Sequence, residues 1–334
     1  MKIIVDGFGG DNAPLEVLRG CAEAVETYGH EIVVTGDEQV LRSLAAANEI
    51  SLDHIEIVHT TDVITMEDHP KSILREHKEC SMAVGLRLLS EGAADAMVSA
   101  GSTGALLMGA TFIVKRIKGV SRPALAPIMP SDKGPFMLVD SGANAECRPE
   151  MLIQFARMGS IYMTELFGNG KPATVGLLNV GTEESKGDEL RQTVYGMLRE
   201  SDLKFIGNVE ARETPFGAAD VVVADGFSGN VLLKTMEGTV DALMKNIKGL
   251  FMTNLATKLA ALVIKPYLKG LKKRLDTSEH GGAPVLGVAN PVIKAHGNSN
   301  AKAIKNAVRV AAEFAEAGVI EKIASALSEA PAEE

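Results

Sequence analysis

The sequence predicts a three-layer α/β/α fold with a mixed sheet, and three observations carry this prediction. Apolar runs that end in glycine, serine or aspartate alternate with amphipathic helical segments. Several runs are continuously apolar, which is typical of strands covered on both faces. The stretch 124–140 holds two apolar runs joined by Ser-Asp-Lys-Gly and indicates a hairpin. The sheet is therefore not expected to be purely parallel.

The individual elements follow from these patterns in chain order. Strand-like segments occupy 2–7, 31–36, 55–60, 95–100, 135–140, 174–180 and 220–226. Amphipathic spacing predicts helices over 15–29, 103–116 and 149–168.

Composition excludes several classes of function. The net charge of −9 gives no attraction to nucleic acid, and the absence of tryptophan argues against a base- or sugar-stacking surface. Cys21, Cys80 and Cys147 lack both zinc-ligand and disulfide-framework spacing, which favours a reducing cytoplasm and predicts no metal site. The N-terminal pattern, in which Lys2 leads straight into a strand, is not that expected of a signal peptide, and no apolar stretch reaches the roughly 18 residues of a membrane span.

The segments that follow the strands are rich in glycine, serine, asparagine and aspartate. In α/β sheets, ligands bind beyond the carboxyl ends of strands, and helix N-termini there favour phosphate. Neither GxGxxG nor GxxxxGK[ST] is present, so a nucleotide has no local support. The loops predict a smaller anion, free phosphate or a phosphorylated small substrate, although tight turns alone would also use these residues. The loops read DGFGGDNAP (6–14), SAGSTGALL (99–107), VDSGANAECRPE (139–150), LNVGTEESKGDE (178–189), NVEARETPFG (208–217), ADGFSGN (224–230) and AHGNSNAKA (295–303).

Together these loops resemble those of the bacterial phosphate acyltransferases, the PlsX family, over nearly the whole chain. Two departures are visible: Gly7-Phe8 replaces the usual Ala-Met, and His77 and Cys80 replace a lysine and a serine in the segment REHKECSM (75–82). The segments that carry the resemblance are GGDNAP (9–14), SAGSTGA (99–105), VDSGAN (139–144), NVGTEESKG (179–187), NVEAR (208–212), DGFSGNVLLK (225–234), GGAPVLGV (281–288) and HGNS (296–299).

The resemblance implies an architecture and an activity. The fold would be similar to phosphotransacetylases and isocitrate/isopropylmalate dehydrogenases, with two intertwined lobes in a single catalytic unit over 1–334 and a homodimeric assembly. Members of the family move a long-chain fatty acyl group from acyl carrier protein to inorganic phosphate, without a cofactor. The acyl phosphate then serves a glycerol-3-phosphate acyltransferase in phospholipid synthesis.

This reaction needs no serine, histidine and aspartate triad, because phosphate itself is the nucleophile. Backbone amides suit the anion, and one cation suits its positioning. We expect Lys186 to be that cation, Asn230 to donate to phosphate or the developing oxyanion, and His296 to protonate the leaving thiolate or contact phosphate. The alternatives are a solvated lysine, a helix N-cap and a buried structural histidine. Further phosphate or substrate contacts are expected at Gly10, Asp11, Asn12, Gly101, Ser102, Thr103, Gly104, Asn144, Gly181, Gly297, Asn298 and Ser299.

Four other polar residues receive structural interpretations. Asp6, Asp140 and Asp225 stand at strand ends and are expected to organise loops rather than act as bases. Cys147 is expected to be inert, because the reaction has no step for a thiol.

A cationic amphipathic helical segment covers 238–276. Between Asp241 and Asp276 it carries eight Lys or Arg and no acidic residue. Pro266 is expected to break or kink its helix. The apolar stripe is consistent with core, a dimer interface or contact with an anionic membrane surface, and the basic cluster with lipid or the acidic carrier protein. The contact residues expected are Phe251, Leu255, Leu259, Lys269, Lys272, Lys273 and Arg274.

The predicted location is the cytoplasm, with peripheral association at the inner face of the cell membrane. Two other functions stay open from the sequence. One is a phosphotransacetylase-like activity on short acyl-CoA, and the other is a non-catalytic scaffold that recruits carrier protein to membranes. A nicotinamide dehydrogenase is disfavoured, since no acidic cluster for a metal-bound hydroxyacid stands out.

Overall fold

A computed structural model describes residues 1–168, 170–275 and 281–328. Its strands form two mixed sheets rather than a single one. The first has seven strands in the order β3-β2-β1-β4-β12-β11-β5, and the second has five in the order β6-β7-β10-β8-β9. The strands are β1 (Lys2–Asp6), β2 (Glu31–Gly36), β3 (Ile55–His59), β4 (Ala96–Ser99), β5 (Ala124–Leu125), β6 (Ile128–Met129), β7 (Phe136–Val139), β8 (Thr174–Asn179), β9 (Lys204–Glu210), β10 (Val221–Val223), β11 (Ala283–Leu286) and β12 (Val292–Lys294).

Helices separate most of the strands, as the sequence predicts. The predicted helix over 103–116 is α-helical only to Gly109 and continues as a π-helical turn, Ala110–Val114. The helices are α1 (Leu15–Tyr28), α2 (Glu38–Ala47), α3 (Ser81–Ser90), α4 (Thr103–Gly109), α5 (Pro149–Phe167), α6 (Glu189–Glu200), α7 (Gly226–Phe251), α8 (Leu255–Leu275), α9 (Ala301–Glu316) and α10 (Val319–Ser328).

The predicted hairpin at 124–140 is the point where the chain passes from one sheet to the other. β6 pairs antiparallel with β7, which confirms the hairpin. However, the first apolar run is split, because β5 pairs antiparallel with β11 in the first sheet. Pro127 separates β5 from β6, and a proline cannot donate a ladder hydrogen bond. The chain returns to the first sheet at β11 and β12, so the two halves are intertwined.

Each sheet is covered on both faces, which confirms the layered arrangement. A shared core cluster includes Ile3 and Val5 of β1 together with Val221 and Val223 of β10. Side chains alternate along a strand, so Ile4 points to the opposite face of the first sheet and lies in a separate cluster. Likewise, the second sheet has its own outer cluster. One continuous core therefore joins the two sheets.

The cationic segment forms a helical hairpin, here called the arm (238–275), from the end of α7 and all of α8. The two helices pack against each other, and no described side chain of the arm is buried. The apolar stripe is thus not core. α8 continues through Pro266 instead of breaking there. Exposed apolar side chains of the arm include Leu243, Leu250, Met252, Leu259, Leu262, Val263 and Tyr267.

The arm is not a membrane span. Within the described chain, no helix combines the length and the apolar character that crossing a bilayer requires.

Candidate functional site

Three neighbouring parallel strands of the first sheet end side by side. β1, β4 and β12 stop at Asp6, Ser99 and Lys294 and bring together the loops 7–14, 100–104 and 295–299, here called the first rim. The Asp11 amide donates to the Gly297 carbonyl at 2.8 Å. Asn12 Nδ2 lies 3.0 Å from the Asn298 carbonyl and 3.3 Å from that of Ser299. The Asn12 side chain therefore links the third of these loops (295–299) to the first (7–14) by hydrogen bonds.

Glycines let these loops approach so closely. A Cβ on Gly9 would lie 2.7 Å from the Gly101 amide nitrogen, and one on Gly10 would lie 2.8 Å from the Gly297 carbonyl oxygen. Gly10 also has a φ of +100°, which L side chains rarely adopt. The glycines of the first loop thus make room for neighbouring backbone.

A buried polar network lies beneath the first rim. Asp6 accepts hydrogen bonds from Ser81 Oγ at 2.6 Å and Ser99 Oγ at 2.7 Å. Ser99 Oγ in turn accepts the Gly101 N–H at 3.1 Å. Burial raises the pKa of the Asp6 carboxyl, while the serine hydrogen bonds oppose this shift. Asp6 organises the loops, as the sequence predicts.

Lys294 is a second buried charge at this rim, and it was not predicted from the sequence. Its side chain is buried, and Nζ donates to the carbonyls of Ala100, at 3.2 Å, and Ala295. Burial lowers the pKa of Lys294 to about 8, although Asp6 and Asp11 favour the charged form. The available signal was a lysine closing the apolar run Val292–Lys294, separated from HGNS only by Ala295.

Several backbone amides at the first rim are available to an anion. Thr103 and Gly104 form the first turn of α4, where N–H groups have no intrahelical acceptor, and Ser102 Oγ caps that turn through Ala105. Gly101 is not in this set, because its N–H is used by Ser99. In the third loop, none of the hydrogen bonds among described residues uses the N–H groups of His296, Gly297 or Asn298. These two sets of amides suit an anion such as phosphate.

His296 and Ser299 have different environments within the third loop. The His296 side chain is exposed, without a hydrogen bond to any described residue, so the interpretation as a buried structural histidine is wrong. The hydroxyl of Ser299 donates to the His296 carbonyl at 2.6 Å and is buried. Ser299 therefore stabilises the loop turn, and His296 is the side chain that remains accessible.

The second sheet ends in a corresponding group of loops, 140–144, 180–188 and 225–230, here called the second rim. Asp140 accepts the amides of Leu125 and Ala143 at 3.0 Å and of Asn144 at 2.6 Å. Asn144 Nδ2 donates to the Pro123 carbonyl at 2.8 Å, and its own carbonyl accepts the Gly226 amide. Asp140 and Asn144 thus order this rim.

Asp225 is the N-cap of α7, accepting the Ser228 amide at 2.9 Å. The N-cap interpretation of Asn230 is therefore wrong, because Asn230 lies one turn into the helix. Its side chain is exposed, close to Gly142 of the neighbouring loop. Arg191, also missed from sequence, bridges Asp225 and Ser228 Oγ and fixes the start of α7.

Lys186 lies on an exposed loop whose backbone is tied down. Asn179 Nδ2 donates to the Lys186 carbonyl at 3.1 Å, and Asn208 Nδ2 donates to that of Glu183 at 2.8 Å. The ammonium group of Lys186 has no carboxylate partner among the described residues, and the adjacent Glu184 pairs with Arg199. Gly181 packs against the Lys186 stem. The loop therefore presents an unpaired cation.

Parts of the two rims lie close together. Ala143 of the second rim packs against the outer core of the first sheet. Lys234 of α7 is close enough that its charge, in addition to burial, lowers the pKa of Lys294. Hence α7 of the second sheet lies near the loops of the first rim.

A segment over 62–77 lies against the first rim. Pro70 contacts Gly104, and Met66 lies near Gly297. His77 Nδ1 is 3.0 Å from Asp62 Oδ1, and Nε2 is 3.7 Å from Asp68. The hydrogen bond to Asp62 raises the pKa of His77. These contacts hold the segment over the loops.

The remaining predicted residues are Cys147 and the contact residues of the arm. Cys147 contacts the Asn144 carbonyl, and burial raises the pKa of its thiol to about 11, consistent with an inert thiol. In the arm, Phe251 is half-buried and Leu259 is exposed. The side chains of Leu255, Lys269, Lys272, Lys273 and Arg274 lie outside the described part of the structure, as does Asp276. Across the described ranges, no cluster of His, Cys, Asp and Glu could hold a metal ion.

Comparison with known structures supports the fold. A phosphotransacetylase from Streptococcus pyogenes superposes with a TM-score of 0.62 at 18% identity, covering 95% of this chain and 94% of that one. A branched-chain phosphotransacylase from Enterococcus faecalis gives a TM-score of 0.59 at 14% identity, covering 94% and 99%. A 4-hydroxythreonine-4-phosphate dehydrogenase from Klebsiella pneumoniae gives 0.55 at 14% identity, with the same coverage. At such identities the likeness shows the fold alone.

Sequence comparison goes further. The family model described as "Fatty acid synthesis protein" matches residues 1–322. A phosphate acyltransferase of Clostridium novyi is 48% identical over 326 residues, covering 97% of this chain and 98% of the relative. The phosphate acyltransferase of Clostridioides difficile is 46% identical over 324 residues, covering 97% and 95%. The chain therefore belongs to the fatty acid synthesis protein family and is an acyltransferase enzyme of the phosphate acyltransferase type.

Proposed function

We propose that the enzyme transfers a long-chain fatty acyl group from acyl carrier protein to inorganic phosphate. The observation that carries this proposal is the proximity of two unlike rims. The first rim has amides in two loops that no described residue accepts, and the second has the exposed side chains of Lys186 and Asn230. Membership of a phosphate acyltransferase family makes phosphate the natural occupant.

In this mechanism the amides of Thr103, Gly104 and the loop 296–298 hold phosphate at the first rim. A phosphate oxygen attacks the thioester carbonyl carbon, and a carbon–oxygen bond forms. Lys186 and Asn230 stabilise the negative charge that develops on the carbonyl oxygen and on phosphate. The carbon–sulfur bond then breaks, and the exposed His296 gives a proton to the leaving thiolate. The products are an acyl phosphate and the free carrier thiol.

The test is a thiol-release assay with long-chain acyl carrier protein, with and without inorganic phosphate. We expect release that depends on phosphate, together with a hydroxylamine-reactive acyl phosphate. Short-chain acyl-CoA is assayed in parallel. Faster turnover of short-chain acyl-CoA would instead favour the phosphotransacetylase-like alternative, and no release from either donor would leave only the scaffold function.

The arm supports the choice of a long-chain donor. Its exposed apolar residues, including Leu259 (58% exposed) and Leu262 (68% exposed), have no partner within the described chain that buries them. Lysines accompany them along α8, each worth about 1 kcal/mol near an anionic membrane surface. Long-chain acyl phosphate is poorly soluble and labile, so release at a bilayer delivers it to a membrane-bound glycerol-3-phosphate acyltransferase. A dimer interface on the arm is the competing explanation.

Vesicle flotation separates these explanations. The protein is mixed with vesicles of anionic or of zwitterionic phospholipid, and Leu259→Glu and Phe251→Glu are compared with Val40→Glu, a control on the body. We expect the two arm variants to lose binding to anionic vesicles and the control to keep it. If the arm variants float unchanged but sediment as monomers, the arm is a dimer interface instead.

A further inference from the structure

Lys294 is a buried charge at the centre of the first rim, and the mechanism above does not use it. Its side chain reaches two different loops, because Nζ donates to the carbonyls of Ala100 and Ala295. The first carbonyl belongs to the loop that begins α4, and the second begins the loop 295–299. With 8% of its surface exposed, Lys294 is one of the most deeply placed cations of the described chain.

Peptide geometry gives these two hydrogen bonds a consequence. In a trans peptide the carbonyl and the N–H of one unit point in opposite directions. When Lys294 holds the Ala295 carbonyl inward, the N–H of His296 points away from the ammonium, and no described residue accepts it. When it holds the Ala100 carbonyl, the Gly101 N–H is turned to Ser99 Oγ, which fixes the entry to α4.

We propose that Lys294 is a phosphate-positioning residue, whose ammonium group turns the His296 amide toward the anion, fixes the loop that leads into α4, and places a buried positive charge behind both loops. This inference rests on the proposed function, since it concerns the same phosphate site. It adds a residue that acts through the backbone and not by direct attack on substrate.

The charged groups around Lys294 allow the proposal to be tested by measuring proton uptake on phosphate binding. Asp6 and Asp11 face Lys294 with negative charge, and Lys234 faces it with positive charge. Burial lowers the pKa of Lys294 to about 8 in the free protein. A bound phosphate dianion favours the charged form and raises that pKa. Phosphate binding near pH 8 to 9 therefore requires Lys294 to take up a proton, and phosphate affinity falls as pH rises and the charge is lost.

The experiment is calorimetric titration of the full-length protein with inorganic phosphate at pH 8.5, in buffers of different ionisation enthalpy. Wild type is expected to take up a fraction of a proton on binding, whereas at pH 6.5 Lys294 is already charged and the uptake disappears. Lys294→Gln keeps two N–H donors without the charge, and Lys294→Met keeps the shape. Both are expected to abolish uptake and raise the KM for phosphate about tenfold or more, with kcat within about threefold.

Lys305→Met is the matched control, because Lys305 of α9 pairs with Glu23 of α1 and forms no hydrogen bond or ion pair with a first-rim loop among the described residues. This variant is expected to keep the proton uptake on phosphate binding and the wild-type KM for phosphate. Phosphate binding by wild type without proton uptake at pH 8.5 would overturn the inference, whether or not the variants fold, and would leave the proposed function intact. Uptake that persists in Lys294→Gln would also overturn it. Failure of wild type to bind or use phosphate would remove the proposed function and the inference with it.

Discussion

The first and second rims are stabilised in different ways. The first rim offers backbone, and its loops are fastened to one another by Asn12 and to the sheet by buried Asp6 and Lys294. The second rim offers side chains. The carboxylates of Asp140 and Asp225 accept backbone hydrogen bonds that order its loops. Lys186 and Asn230 stay exposed.

This difference indicates a division of labour. Rigid amides bind an anion without reorganising at the moment of reaction, which lowers the cost of placing phosphate. An exposed lysine retains freedom to follow charge as it moves from phosphate to the thioester. We therefore expect changes to the loop backbone of the first rim to act on phosphate binding, and changes to Lys186, Asn230 and the proton donor His296 to act on turnover.

The largest effect is expected from the side chains of the second rim. Lys186→Ala and Asn230→Ala should each lower kcat about 10²-fold or more, because each removes a donor to developing charge. Both positions are exposed, so the melting temperature should stay unchanged. Steady-state kinetics and thermal unfolding check this, with the exposed Lys204→Ala as control. Near-normal turnover in both folded variants would contradict the assignment.

The packing beneath the second rim provides the next test. Gly229 of α7 lies so close to the Asp140 backbone that an added Cβ would meet its carbonyl oxygen at 1.9 Å. Gly229→Ala should therefore lower the free energy of unfolding by about 2 kcal/mol and reduce turnover. Gly249 lies in open space on the same helix. Gly249→Ala should therefore raise the free energy of unfolding by a few tenths of a kcal/mol to about 1 kcal/mol. Chemical denaturation measures both, and equal effects would refute the packing argument.

A smaller effect is expected from changing Asn12, whose side chain links the first and third loops of the first rim. Asn12→Ala removes both hydrogen bonds to the third loop and should raise the KM for phosphate several-fold, by the ~1 kcal/mol typical of such bonds. Asn12→Asp should be worse, because a carboxylate there faces two carbonyl oxygens. Phosphate titration of the rate checks this order. A change confined to kcat would break the proposed division of labour.

The smallest effect concerns the segment over the first rim. Because Asp62 raises the pKa of His77, protonated His77 stabilises the folded state. This stabilisation is fully present below the pKa of an unfolded histidine, near 6.5, and is lost as pH rises through the higher folded value. The melting temperature of wild type minus that of His77→Asn should therefore shrink between pH 6 and pH 8. A constant difference would contradict it.

Sequence patterns predicted the regular elements well where they were long. Helices α1 and α5 and the apolar strands β1, β2 and β8 lie within a residue or two of their predicted bounds. The pattern missed β9, β11 and β12 as strands, since short or half-exposed strands lack a distinct period. It also joined β5 and β6 into one run, although Pro127 divides them between two sheets.

The candidate site was predictable in part for the same reason. Glycine-rich loops that follow strands can be recognised from the sequence. The family resemblance pointed to Lys186, Asn230 and His296. Lys294 and Arg191 gave no comparable signal. A lysine or arginine in sequence looks like a solvated charge until the fold shows what surrounds it, and burial depends on which distant strands become neighbours.

By itself, the sequence determined the layered α/β class, the family and the loops that end the strands, because periodicity and turn residues are local properties of the chain. Only the tertiary structure decided that there are two sheets, that parts of their rims lie close together, and that Lys294 is buried between two loops. Those outcomes depend on contacts between residues nearly 200 positions apart, such as Ala100 and Lys294, and no local pattern encodes such a contact.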